Sequence, residues 1–132
     1  MTVALIIAVD GPAASGKGTV AARLAALYGL PHLDTGLLYR AVGVGVLDAG
    51  GSLDDEAAAV AVARALKAEN LRDTDRLTSG DAGEAASRVA GYRGVREALL
   101  EFQRAFAAQP GGAVLDGRDI GTVVLPDAEL KI

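Results

Sequence analysis

The fold is decided by residues 3–19, which read VALIIAV, then D, then GPAASGKGT. The first seven are apolar and four of them are β-branched, as in a central strand of a parallel sheet that is buried on both faces. Beyond the glycine-rich turn, Val20, Leu24 and Leu27 recur at helical spacing, and Gly29 is placed to end a helix. The segment therefore predicts a strand, a turn and a helix in direct succession.

The turn has the pattern of a phosphate-binding loop, the Walker A motif, with Lys17 opening the helix. Backbone N–H groups of such a loop face a phosphate, and the helix N-terminus favours its charge. Position 18 commonly carries Ser or Thr, and here it is glycine, so Thr19 is the nearest hydroxyl for Mg²⁺. A glycine-rich turn that binds nothing is the alternative. The motif predicts nucleotide contacts from Gly11, Pro12, Ala13, Ala14, Ser15, Gly16, Lys17, Gly18 and Thr19.

Three further strands are expected at 31–34, 113–116 and 130–132. Because helical stretches separate them, the pattern predicts βαβ units and an α/β fold with a parallel sheet flanked by helices. Polar clusters stand at the ends of three strands, at 10–19, 34–40 and 116–122. Ligands of such sheets lie beyond the carboxyl ends of the strands, so these clusters predict one shared site.

The intervening helices are less regular. One is expected over 36–48, and Ser52 with Asp55 resembles a capping box that opens the next. Segment 70–83 is polar and without period, and we expect a mobile excursion there. Later helices are marked by Glu84 and by a core-facing stripe of Val95, Leu99, Phe102 and Phe106.

Composition and charge exclude several classes of protein. Hydrophobic residues make up 51% and aromatic residues 4%, so the core is aliphatic, and the net charge of −4 argues against a nucleic-acid binder. The absence of cysteine excludes disulfides and thiolate chemistry and fits a reducing compartment. The apolar opening is too short for a membrane span and lacks a secretion signal. We therefore expect a cytoplasmic protein that binds neither nucleic acid nor membrane.

Four segments together resemble the bacterial cytidylate kinase family of P-loop nucleoside monophosphate kinases. They are GKGT at 16–19, LDTGLLYR at 33–40, AASRVA with VREALL at 85–100, and DGRDIGTVV at 116–124. Adenylate kinases usually show Asp-Gly-Phe-Pro-Arg where this chain has Asp-Gly-Arg-Asp. The resemblance implies one P-loop kinase domain over 1–132, with a short monophosphate-binding insert at about 52–94, and a monomer when intact.

The resemblance implies that the γ-phosphoryl group of ATP passes to CMP or dCMP with the help of Mg²⁺. Thr19 would lie in the Mg²⁺ coordination sphere, and the catalytic residues would be Lys17, Arg40 and Arg118. No side-chain nucleophile is expected, because phosphoryl transfer needs mainly positioning and charge stabilisation.

The family pattern also implies the acceptor site. Arg40 and Arg118 would hold the CMP phosphate, since paired guanidinium groups grip phosphate in bidentate fashion. The cytosine edge would be read by Ser87, Arg96 and Asp119, with Thr35 nearby. A carboxylate accepts from the exocyclic amine of cytosine and repels the carbonyl of uracil.

Each of these residues has a plainer explanation. Without the family pattern, Arg40 and Arg96 are better explained as solvated charges on helices. Arg118 and Asp119 could pair with each other, and Ser87 could be an ordinary helix residue. His32 is expected to be structural and receives no role.

The chain departs from the family in two places. Segment 71–83 is short for the family's insert, and the family continues past the strand at 130–132 into an arginine-bearing lid, further helices and another strand. We therefore expect a fragment, incomplete at its C-terminus, that binds nucleotides weakly and catalyses poorly.

Two other functions stay open: a P-loop kinase for another small acceptor such as shikimate, and a non-catalytic nucleotide-binding module that regulates a partner. A signalling GTPase is disfavoured, because the sequence has no Asn-Lys-x-Asp guanine-reading motif.

Overall fold

The computed structural model describes residues 4–12 and 15–132. In this part of the chain four strands form an all-parallel sheet, and their order is β2-β3-β1-β4. The strands are β1 (Leu5–Asp10), β2 (His32–Asp34), β3 (Gly112–Gly117) and β4 (Leu130–Lys131). The predicted α/β class and parallel sheet are thereby confirmed, although Val3, the expected start of β1, lies outside the described residues.

The sheet is held together by β1, which pairs with β3 along its whole length and with β4 at Ile7 and Ala8. Ile7 and Ala8 are fully buried and Val9 keeps 2% of its exposure, which is why this strand reads as a continuous apolar run. Burying each such Ile or Val side chain contributes about 1.5–3 kcal/mol. Val114 of β3 completes this part of the core.

The helix after the turn, α1 (Lys17–Tyr28), packs on the sheet through small residues. Ala21 and Ala25 are buried against β1 and β3, whereas Leu27 is 75% exposed. The predicted helix and its end at Gly29 are confirmed, since the Gly29 N–H caps α1 by donating to Ala25. Of the three apolar residues at helical spacing, Leu24 packs against this core, whereas Val20 and Leu27 are exposed.

The described chain divides into two compact units, and each is described here by itself. The first contains the sheet and α1 and comprises the residues up to Thr35 together with Gln103–Ile132; the second comprises Gly36–Phe102. The helices that begin in the second unit are α2 (Gly36–Asp48), α3 (Glu56–Arg64), α4 (Thr74–Leu77), α5 (Gly80–Val89) and α6 (Arg93–Ala107), with a 3-10 turn at Ala68–Leu71. None of the helices in the described ranges is long and apolar enough to cross a membrane.

Two expectations for the second unit differ from the structure. The cap of α3 is Asp55, whose side chain accepts from the Ala58 N–H at 3.2 Å, while Ser52 accepts from Asp54 in the preceding turn. Segment 70–83 contains α4 and the start of α5 rather than an irregular excursion. A four-residue helix is too short to show a helical period, so the sequence pattern missed it.

In the second unit, α2 and α5 approach each other closely at Gly43. A Cβ at this position would lie 2.7 Å from the Cβ of Ala85 and 2.8 Å from its carbonyl carbon. We expect Gly43→Ala to lower the free energy of unfolding by about 1–3 kcal/mol, because the helices must separate to admit the methyl group. Gly80→Ala is the control, since no residue in the described ranges lies within 4 Å of a Cβ there. Equal losses for both variants in urea denaturation would contradict this packing argument.

Candidate functional site

The glycine-rich loop leads directly into α1. Gly16 caps the helix with φ 86°, a left-handed conformation that glycine adopts without strain, and the Ser15 N–H donates to the Pro12 carbonyl at 3.3 Å. Among the residues that the structure describes, none would lie within 4 Å of a Cβ at Gly18, so none of them accounts sterically for the glycine at this position. The predicted contacts of Ala13 and Ala14 lie outside the described residues.

The described loop residues border an open cleft of about 290 Å³. The floor is the end of β1, and the first turn of α1 forms one side. The lining residues are Val9, Asp10, Gly11, Pro12, Ser15, Gly16, Lys17, Val20 and Ile132. Thr19 lies exposed in the first turn of α1. The cleft offers a cation, a helix N-terminus and a hydroxyl nearby, which is the chemistry that a nucleoside triphosphate needs.

Lys17 makes an ion pair with Asp116, which stands near the end of β3. The Lys17 Nζ lies 2.8 Å from Asp116 Oδ1, and the two side chains are 18% and 1% exposed. β1 and β3 run in register, with Val9 opposite Asp116. The lysine therefore lies at the carboxyl end of the sheet, where the strand-end clusters predicted a ligand site.

The second oxygen of Asp116 is bound by His32, whose Nε2 donates to Oδ2. Burial alone would raise the pKa of Asp116, but hydrogen bonds from His32 and Lys17 outweigh it and hold this pKa below the usual carboxyl value. The carboxylate is thus ionised and bound at both oxygens although it is almost fully buried.

The lowered pKa of Asp116 predicts a loss of stability in acid. As pH falls, the unfolded chain takes up this proton near the ordinary value of about 3.9, whereas the folded chain takes it up only at lower pH. The stability that the carboxylate contributes is therefore complete above about pH 4 and is lost as pH falls through the native pKa. Urea unfolding at a series of pH values should show a steeper acid loss for wild type than for Asp116→Asn. Parallel curves would contradict the prediction.

Arg118 and Asp119 lie exposed after β3, at the start of a π-helical turn, Ile120–Val124. Asp119 has φ 58°, an uncommon left-handed conformation for a residue with a side chain, although Asp and Asn adopt it more readily than most. In the described part of the chain these two side chains form no ion pair with each other. The alternative in which they simply neutralise one another is therefore not supported.

The turn after β3 is anchored at both ends by charged side chains. Asp10, the last residue of β1, accepts from the Ile120 N–H at 2.6 Å and from the Gly121 N–H at 2.9 Å. Arg104, in the part of α6 that belongs to the first unit, donates to the carbonyls of Val124 and Val123 at 3.1 and 3.2 Å. The turn that directly follows Arg118 and Asp119 is therefore anchored through its backbone.

Thr35, the remaining predicted site residue of the first unit, is buried. Its backbone N–H and hydroxyl both donate to the Asp116 carbonyl, at 3.0 and 2.9 Å. The residue thus joins the ends of β2 and β3. Its predicted contact with substrate stays a prediction.

Arg40, Ser87 and Arg96 belong to the second unit and surround α5. Arg40 donates to the carbonyls of Leu77 and Ser79 at 2.9 and 3.3 Å, just before the first turn of α5.

Arg96 donates to the carbonyls that follow this helix, at Ala90 and Gly91, both at 2.9 Å. Ser87, on α5, donates to the Gly83 carbonyl at 3.2 Å and is exposed. The two arginines are therefore held by backbone carbonyls rather than solvated freely.

Arg96 also lies near a tyrosine of α2. Burial raises the pKa of Tyr39, and the positive charge of Arg96 offsets only part of this increase. The phenol therefore stays neutral beside the guanidinium.

The contacts of His32, Asp10 and Arg104 were not predicted from the sequence. Asp10 was noted only as part of a strand-end cluster, and its contact with residues 120–121 spans most of the chain. His32 is expected from the sequence to be structural, and its hydrogen bond to the buried Asp116 carboxylate beside Lys17 is compatible with that expectation. The sequence places His32 two residues before Asp34, at the end of a strand. That position indicates a contact with Asp116 only when the pairing of β2 with β3 is known.

Comparison with known proteins supports the same interpretation. The family model for cytidylate kinase matches residues 7–132. Cytidylate kinases of Methylobacterium sp. (strain 4-46) and Xanthobacter autotrophicus are each 66% identical over 128 residues, which is 97% of this chain and 60% and 61% of those proteins. The cytidylate kinase of Caulobacter vibrioides is 65% identical over 127 residues. The chain thus spans about 60% of the length of these relatives, and it belongs to the cytidylate kinase family.

Proposed function

We propose that this chain binds ATP at the glycine-rich loop and CMP or dCMP as acceptor, and that it belongs to an enzyme that makes CDP or dCDP. The observation that carries the donor site is the position of Lys17, which opens α1 beside the cleft and contacts a buried carboxylate. The acceptor is supported by family membership and by the relatives' names.

On the donor side, the loop amides and Lys17 are proposed to bind the β- and γ-phosphates. The described residues contain no cluster of three or more acidic, histidine or cysteine side chains that would hold a metal ion by themselves. Such a site fits Mg²⁺ that is bound mainly by water and nucleotide phosphates, with the exposed Thr19 hydroxyl as the protein ligand. When bound, Mg²⁺ would neutralise the charge of the phosphates.

The transfer itself needs no covalent enzyme intermediate. A phosphate oxygen of CMP forms a bond to the γ-phosphorus, the bond from that phosphorus to the β–γ bridging oxygen breaks, and ADP leaves. Lys17, Arg40 and Arg118 are proposed to stabilise the charge on the transferring group, since preorganised cations are the main contribution of the protein to this reaction.

On the acceptor side, the proposed phosphate ligands are Arg40 and Arg118, and the cytosine edge is assigned to Ser87, Arg96 and Asp119, with Thr35 close by. Support comes from each unit separately. The two arginines of the second unit are oriented by carbonyls at the two ends of α5. Asp119 stands exposed on an anchored turn, with no ion-pair partner in the described ranges. Location in the cytoplasm, a monomeric state and a single domain with an insert at about 52–94 stay predictions.

The test is calorimetry of the purified chain with ATP and Mg²⁺, CMP, UMP, AMP and shikimate, followed by detection of CDP after ATP and CMP are mixed. We expect ATP and CMP to bind, and UMP to bind less tightly. Preferential binding of shikimate or AMP would instead support a kinase for another acceptor. ATP binding without binding of any acceptor would support a regulatory nucleotide-binding module.

A further inference from the structure

The Asp116 carboxylate is shared by two donors on different elements. Lys17, on α1, binds Oδ1, and His32, on β2, binds Oδ2. With its side chain 1% exposed, Asp116 has almost no access to solvent water that would replace a lost partner. A buried carboxylate that loses a partner pays its full desolvation cost.

Asp116 is also fixed in position and cannot follow a moving partner. Its carbonyl accepts from both the N–H and the hydroxyl of Thr35, and the residue lies between Val9 of β1 and Asp34 of β2 in the parallel ladders. The carboxylate must therefore be satisfied by side chains that reach it where it stands.

Under the proposed function, Lys17 binds two different anionic groups, the Asp116 carboxylate and the phosphates of ATP. Without nucleotide its ammonium group binds Asp116, and with nucleotide it must bind phosphates. His32 is not proposed to bind nucleotide, so its contact with Asp116 can persist when ATP binds. It stands on β2 opposite Val114, two residues before the position opposite Asp116, so its ring lies on the same face of the sheet as the Asp116 side chain.

We propose that His32 is a positioning residue, which keeps the Asp116 carboxylate hydrogen-bonded and in place so that Lys17 is available to the phosphates of ATP. The inference rests on the proposed function of the glycine-rich loop. Without the histidine, Asp116 depends on Lys17 alone, and nucleotide must compete with a buried carboxylate for its lysine. His32 then acts on ATP through Asp116 and Lys17 without touching it.

The first experiment measures ATP and CMP affinity by calorimetry for wild type, His32→Leu and His32→Gln. His32→Leu should bind ATP about 10- to 100-fold more weakly, the value of one hydrogen bond to a charged group. CMP affinity should stay within about threefold, because CMP does not recruit Lys17. His32→Gln should recover most of the ATP affinity, since its amide donates to the carboxylate without carrying charge. Equal ATP affinity for wild type and His32→Leu would overturn the proposal.

A double-mutant cycle tests whether His32 affects ATP binding through the Asp116 carboxylate. In an Asp116→Asn background no buried carboxylate remains to compete for Lys17, so His32→Leu should change ATP affinity by less than about threefold. An undiminished loss in that background would show that His32 acts by another route. Failure of the proposed function is distinguishable: an ATP affinity that is unchanged by Lys17→Ala would disprove the phosphate site itself, whatever the histidine variants do.

A further measurement keeps His32 in place, so it does not depend on whether His32→Leu folds. The chain has one histidine, so the ring nitrogens of His32 give unique NMR signals. We expect the hydrogen-bonded Nε2 signal to persist in the ATP complex and to shift on ATP addition in wild type but not in Lys17→Ala. Loss of the hydrogen-bond signature when ATP binds would overturn the proposal.

Discussion

Replacing Lys17 by Met is expected to weaken ATP binding about 10- to 100-fold, because a charge-assisted contact to phosphate is removed while the bulk of the side chain stays. The variant also leaves Asp116 with His32 as its remaining side-chain donor in the described part of the chain. Part of any observed loss could therefore come from a disturbed fold. The measurement is calorimetry with ATP and Mg²⁺, together with circular dichroism and urea unfolding.

A double variant separates the two effects. Lys17→Met with Asp116→Asn removes the unpaired carboxylate, so it should regain stability relative to Lys17→Met alone while ATP binding stays weak. Lys67→Ala is the matched control, since Lys67 is an exposed lysine of the second unit. If the double variant binds ATP as tightly as wild type, Lys17 acts only as a structural partner of Asp116 and the phosphate-site assignment is wrong.

The largest effect on acceptor choice is expected at Asp119. Asp119→Asn should weaken CMP binding about 10- to 100-fold and reduce the preference for CMP over UMP, because each good base contact discriminates by about 1–3 kcal/mol. Asn tests the charge of Asp119 more specifically than Ala does. It keeps the shape and tolerates the left-handed conformation that φ 58° requires, so the turn should survive.

Calorimetry with CMP and UMP tests this prediction. Asp127→Asn is the control, an exposed acidic residue a few positions further along the same unit. ATP affinity should be unaffected in both variants. A wild-type chain that binds CMP and UMP equally, or an Asp119→Asn variant with unchanged preference, would contradict the assignment of the carboxylate to base reading.

Features with a strong local signal were predictable from the sequence. The bounds of α2 at 36–48 were predicted as observed, because the predicted helix is closed by Gly50 and Gly51. The strand, glycine-rich turn and helix at the start follow from one buried apolar run and a run of glycines. The family resemblance rested on four segments in order, and the family model confirmed it.

Features that depend on tertiary structure were not predictable. The partnership of His32 with Asp116 requires the register between β2 and β3, which no local pattern encodes. Ala21 is buried whereas the larger Val20 beside it is 42% exposed, so hydrophobicity alone does not identify the residues of α1 that face the sheet. The π-helical turn at 120–124 follows from Asp119 in a left-handed conformation and from hydrogen bonds to Asp10, 110 residues away along the chain.

The hydrogen bonds that Asp10 accepts from the backbone of residues 120–121 connect the glycine-rich loop with the turn after β3. Asp10 immediately precedes the glycine-rich loop, and Ile120 immediately follows Asp119, so one carboxylate sets the distance between the roots of both loops. Exchange of the exposed Arg118 or Asp119 side chain leaves that brace intact. Under the acceptor role proposed for Arg118 and Asp119, their exchange would alter acceptor preference without removing these hydrogen bonds, whereas a substitution of Asp10 would affect both loops at once.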